Sequence, residues 1–159
     1  MAVTTQKSTQ LTNLDALPPV LEGSADYAGR LRVAYFSFTQ DGAGDATSSA
    51  EIVRLPPGQV TLLGRLSNVE HNWTTASATM DVGWDAYTEP DGTAVAADPN
   101  GLDDGIDVDT AGETTIGSIV AAGRKQFDSQ DGVSIRLTSQ DVAIADTDTA
   151  EGYLVYVVD

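Results

Sequence analysis

Residues 73–87, WTTASATMDVGWDAY, constrain the fold more than any other stretch. Ala78, Met80, Val82 and Trp84 fall on one side of an extended chain, and Thr79, Asp81, Gly83 and Asp85 on the other. That is the period-two pattern of a half-buried strand. Met80 and Trp84 are large side chains that need a facing layer, so a second sheet or a partner chain lies opposite them. No catalytic group falls on the inward side.

The rest of the chain supplies further strands. Residues 30–39, RLRVAYFSFT, become apolar on both faces near Phe36 and predict a central strand. Residues 51–55 form a short strand, and Pro56, Pro57 and Gly58 a turn. Val60, Leu62, Gly64 and Leu66 then alternate with Thr61, Leu63, Arg65 and Ser67, and residues 70–72 serve as the connection to the long strand. Residues 88–110 carry two turn signals of one form, Glu89-Pro90-Asp91-Gly92 and Asp98-Pro99-Asn100-Gly101. They read as a long excursion, shortened by a brief strand at 93–97, and excursions of that length are often contact regions. Residues 114–122, TTIGSIVAA, fit strand or helical spacing equally well. Val133, Ile135 and Leu137 alternate with Ser134, Arg136 and Thr138 as a strand, 142–145 is a short one, and 153–158, YLVYVV, is apolar on both faces as a fully covered strand is.

About eight short strands with Gly, Pro and Asp turns predict an all-β chain, a β-sandwich of jelly-roll type. A closed β-barrel is the second choice. Its core is expected to include Met80, Val82, Trp84, Val133, Ile135 and Leu137. The expected organisation is an N-terminal arm over 1–29 and a single β-sandwich domain over 30–159. In the arm, Leu11, Leu14 and Leu17 recur at three-residue spacing after a cap at Ser8, and Pro18 and Pro19 end any helical turn. So short a piece is unstable alone, so its leucines dock on the chain's own sheet or on a neighbouring molecule; a frayed terminus is the competing reading.

The chemistry searched for is sparse. With 159 residues the chain can hold a core without staples, and it has no Cys, hence no disulfide, thiolate metal site or thiol nucleophile. No apolar run reaches the roughly 20 residues of a membrane span, and the N-terminus lacks the features of an export signal. Eight basic against 24 acidic residues give a formal charge of −16, which repels phosphate backbones, so nucleic acid is not expected as a partner, and without an apolar span neither is a membrane. No Lys or Arg occurs between Leu66 and Gly123, where eleven acidic residues fall; a solvated acidic face is the preferred reading. His71 is the only histidine, so no histidine zinc cluster can form, and no Gly-x-Ser-x-Gly elbow supports a triad. It is expected at a strand entrance with an ordinary hydrogen bond. The segment 98–109, DPNGLDDGIDVD, has the oxygen ligands calcium requires, but Leu102 and Asp103 stand where an EF-hand needs a ligand and a glycine. A divalent ion shared between symmetry-related acidic loops is weighed below a solvated loop. Asp81 and Asp85 face one way, on the outward side, with no pocket to raise either pKa. No phosphate-binding loop occurs. No cofactor and no catalytic residue is expected.

Taken together, the N-terminal AVTTQKSTQL and LPP, the strand RVAYFSFTQ, the turn LPPGQV, NWTTASATMDVGWDAY, the loop ADPNGLDDGIDVD, SQDVAIAD and the closing GYLVYVVD resemble tailed-bacteriophage capsid decoration or cement proteins. The resemblance implies a non-enzymatic protein on the capsid exterior that binds the major capsid protein and cements capsomer junctions. It also implies a homo-oligomer, a trimer favoured over a dimer. On this view Leu11, Leu14, Leu17, Pro18 and Pro19 are arm contacts, and residues 89–110 a second contact or intersubunit element. A carbohydrate-binding β-sandwich displayed on the virion is the alternative, stacking sugar rings on Trp73 and Tyr87 from the outward side of the long strand.

Overall fold

Alternation of apolar and polar residues produces two facing sheets. The computed structural model describes residues 16–20 and 30–159. Its strands are β1 (Arg32–Thr39), β2 (Ser49–Leu55), β3 (Gly58–Leu63), β4 (Asn68–Asn72), β5 (Thr79–Trp84), β6 (Tyr87–Thr88), β7 (Ala94–Val95), β8 (Asp98–Asp107), β9 (Gly112–Thr115), β10 (Arg124–Ser129), β11 (Val133–Ser139) and β12 (Thr149–Val158).

The first sheet is built on β12. Along one side β1 pairs with it from Arg32 opposite Tyr156 to Thr39 opposite Thr149. Along the other, β4 takes its first half and β3 its last three residues. Beyond these, β9 pairs with β4 and β10 with β3. So β3 and β4 are one strand interrupted by the 3-10 turn Gly64–Leu66, and β9 and β10 are one strand interrupted over 116–123. The interruptions coincide because two glycines meet there: a Cβ on Gly64 would lie 2.6 Å from the Ile116 carbonyl oxygen, and Gly117 has φ +89°. The second sheet runs β2-β11-β5-β8, and β6 with β7 forms a separate small hairpin.

Counting each interrupted strand once leaves eight strand positions, four per sheet. The chain changes sheet at every connection except that from β5 to β8, where the β6–β7 hairpin intervenes. This is the winding of a jelly roll. The sheets are open and separate, so the barrel alternative does not form. Between them Phe36, Val60, Leu62, Val69 and Leu154 from one sheet meet Met80, Val82, Leu102, Ile135 and Leu137 from the other in one buried cluster. Val133 and Trp84 belong to it too, Trp84 edge-on to Phe127 at 5.4 Å between ring centroids.

The structure corrects the sequence reading in several places. Residues 98–107 are the edge strand β8, not an excursion; Leu102 is fully buried and the pairing with β5 is bulged on both sides of Val82. Gly83 makes this possible, since a Cβ there would lie 1.9 Å from the Asp98 carbonyl oxygen. Residues 68–72 are a paired strand rather than a connection. Among the described residues β1 pairs only with β12, so it is an edge strand and not a central one, and Leu31, Val33 and Tyr35 are exposed. Residues 142–145 provide only an isolated bridge from Ile144 to Gly44. Of 114–122, only the start belongs to a strand and the end to a 3-10 turn, Ala121–Gly123.

Candidate functional site: two outward sheet faces

On the second sheet the outward residues of β5 and β11 line a cleft of about 390 Å³, whose walls include Ser49, Asp81, Asp85, Pro99 and Arg136. A pocket therefore does exist beside the two aspartates. Asp81 is buried and its Oδ1 accepts a hydrogen bond of 2.8 Å from the Gly105 N–H. Burial pushes its carboxyl above the usual range, the Gly105 bond opposes this, and the nearby Asp104 and Asp141 charges add to the rise. Asp85 is paired with Arg136, Nε to Oδ1 at 2.5 Å, and Arg136 Nη1 also donates to Ser49 Oγ at 3.2 Å. At the neighbouring edge, Glu51 accepts from Ser134 Oγ and from Arg54 Nη2, each at 2.8 Å, and these bonds hold its carboxyl below the usual range. Asp85 and Glu51 of this face thus each carry an arginine of the same chain, while Asp81 is held by the Gly105 amide alone, with Asp104 and Asp141 repelling it.

The first sheet presents a different outward face. Pairing places Ser37, Glu151, Glu70 and Glu113 in one row across β1, β12, β4 and β9. The next row along the strands is Tyr35, Tyr153, Asn68 and Thr115, and the one after it begins with Val33. Acidic, aromatic and aliphatic side chains therefore succeed one another over a short distance. Tyr35 is 66% exposed, Val33 64% and Tyr153 40%. Three glutamates stand directly opposite one another, and none carries an ion pair among the described residues. Like charges so placed are destabilising, by about 0.2–1 kcal/mol per pair if they mirror the gain from opposite ones. Their side-chain hydrogen bonds within the described residues come from neutral groups: Tyr35 Oη donates to Glu151 Oε2 at 2.8 Å, and Asn68 Nδ2 to Glu113 Oε1. Asn68 is 9% exposed and its Oδ1 has no partner.

His71 lies on β4 beside this row, in a hollow of about 550 Å³ that the three glutamates also line. It is buried, and its Nδ1 has no hydrogen-bond partner, in place of the ordinary bond expected. Burial holds its imidazole below the ordinary value, with Asp107 opposing.

Trp73 is 3% exposed and Tyr87 is half-buried with its ring edge-on to Phe127, so they form no outward stacking platform for a sugar. Asp103 is buried, accepting from the N–H groups of Gly117 and Ser118 and from Ser118 Oγ, and Asp109 accepts from the Ser77 N–H. Among the described residues no three metal-ligating side chains are grouped to hold an ion. Leu17 is 96% exposed, and Pro18 and Pro19 are exposed beside it. Leu11 and Leu14 lie outside the described residues. Among the described residues no helix is long and apolar enough to cross a membrane.

The winding and its two faces define a jelly-roll β-sandwich. A chain in the capsid of Ralstonia phage GP4 is similar to it with a TM-score of 0.62 at 18% identity, over 82% of this chain and 86% of that one. A chain in the cyanophage Pam1 capsid asymmetric unit is similar with a TM-score of 0.55 at 17% identity, again over 82% and 86%. No family model matches the sequence, and no curated protein matches it. At these identities the likeness is one of fold.

Proposed function

We propose that this chain is a non-enzymatic structural protein of a tailed-phage virion, one that binds the outer surface of the capsid and cements capsomer junctions. The observation that carries the reading is the jelly roll itself, matched over most of both chains in two phage capsid structures. The sandwich of residues 30–159 acts as the body, and residues 1–29 as an arm that reaches a neighbouring major capsid protein through Leu11, Leu14, Leu17 and the Pro18-Pro19 break. The full exposure of Leu17 supports this, because an apolar side chain left in water gains by being covered. The body assembles as a homo-oligomer, a trimer before a dimer. Several weak arm contacts then add through effective concentration, and the shell is strengthened without a single tight interface.

The test is co-sedimentation with capsid shells made without this protein. The full chain should pellet with the shells, and the chain lacking residues 2–21 should stay in the supernatant while keeping its β-sheet circular dichroism. Equal pelleting of both would remove the arm from the reading. Failure of the full chain to pellet would overturn the capsid role.

A further inference from the structure

The outward face of the β1–β12–β4–β9 sheet combines two features that a free surface gains nothing by having. One is the run of exposed Val33, Tyr35 and Tyr153, contiguous across the paired edge strand and its neighbour. The other is the row Glu151, Glu70 and Glu113, directly opposed and without a cationic partner among the described residues. A solvated acidic surface would spread such charges instead of stacking them in register. The buried Asn68 continues the tyrosine row next to Glu70, its amide nitrogen bonded to Glu113 and its Oδ1 left without a donor among the described residues.

We propose that this face is a docking surface for a protein surface carrying Lys or Arg beside apolar side chains. The glutamate row takes the cations and the Tyr35–Tyr153–Val33 run takes the apolar contact. A cation entering the row would relieve the mutual repulsion of the three carboxylates, and a donor arriving beside Glu113 would satisfy Asn68 Oδ1. Charge chooses the occupant. A second copy docked face to face would set glutamates against glutamates, in a chain whose formal charge is already −16. On the second sheet Glu51 and Asp85 already carry Arg54 and Arg136, and Asp81 is buried on the Gly105 amide, so among the described residues no exposed row of carboxylates stands in register there beside aromatic rings. The inference rests on the capsid-binding reading and names the face that meets the shell.

The experiment uses the full chain, its triple variant E70Q/E113Q/E151Q and the control E51Q, titrated onto capsid shells at low and high salt. Glutamine keeps the shape and removes the repulsion, so the triple variant should fold at least as well as the parent. The expected result is about tenfold or greater weakening for the triple variant and a much flatter salt dependence, with E51Q unchanged. If the parent binds and the triple variant matches it in affinity and salt dependence, the docking face is wrong while the capsid reading stands. If the parent fails to bind, the capsid reading itself falls. Two further outcomes overturn the choice of occupant. One is self-association of the parent, seen by analytical ultracentrifugation and lost in the triple variant. The other is calorimetric binding of calcium to the parent without shells, lost in the triple variant, together with release from the shells by a chelator.

Discussion

The two outward faces of this sandwich are built from similar residue types and resolve them in opposite ways. On the β2-β11-β5-β8 sheet, Asp85 is held by Arg136, Glu51 by Arg54 and Ser134, and Asp81 by the Gly105 amide. On the β1–β12–β4–β9 sheet, Glu70, Glu113 and Glu151 face one another beside exposed tyrosines. A face whose glutamate and aspartate already carry arginines of the same chain has less to offer a partner. One whose charges repel and whose aromatic rings lie in water is stabilised by acquiring one.

The largest difference should appear where backbone passes over side-chain space. Gly83→Val would drive its Cβ into the Asp98 carbonyl, costing about 3 kcal/mol or more and lowering Tm by roughly 6–12 °C. Ser37→Val, an exposed position on the first sheet, should stay within about 0.5 kcal/mol of the parent. Thermal melts of the two variants decide it; similar melting would mean that β8 does not press on β5.

Two buried groups with displaced titration, Asp81 and His71, separate the two sheets by pH. Asp81 has a raised carboxyl, so its contribution to stability is complete below its unfolded-state pKa and is lost as pH rises through the folded value. Asp81→Asn should therefore be more stable than the parent at neutral pH, with the gap closing in acid. His71 has a lowered imidazole, so its contribution is complete above its unfolded-state pKa, near 6.5, and is lost as pH falls from there through the folded value. His71→Gln should flatten that mildly acidic limb and leave the alkaline one alone. Denaturant midpoints across pH check both, and limbs of the opposite sign would sink the assignment.

A smaller effect is expected at the glutamate row. Glu70→Gln removes repulsion from two neighbours at once and should raise stability by about 0.5–1 kcal/mol at low salt, shrinking at high salt. Destabilisation instead would mean that the row is already compensated in the free chain. The smallest effect belongs to Asp85 and Arg136, each about one-third exposed. A double-mutant cycle there should give a coupling of about 0.2–1 kcal/mol despite the short contact.

The sequence carried the faces of single strands well and their neighbours poorly. The alternation at 79–84 located Met80, Val82 and Trp84 on one side, and all three are buried with Ile135 and Leu137. It could not show that β8 would cover the other side, because DPNGLDDGID is written in turn-forming residues and becomes a strand only through pairing with β5. Trp73 looked outward by the same counting, but the strand starts only at Thr79, so the count ran through a loop before reaching it. The glutamate row was invisible for a related reason. Glu70, Glu113 and Glu151 are far apart in the chain, and only the registers of β4 on β12 and on β9 bring them together.

The position of β12 has a consequence for how the molecule is made. It touches β1, β3 and β4 directly, yet of all the strands it leaves the ribosome last. Until then β1 has no partner strand among the described residues, and β3 and β4 lack one flank. A nascent chain stopped at residue 148 should be a target for chaperones, and the sheet should close in a single late step once synthesis has passed Val158.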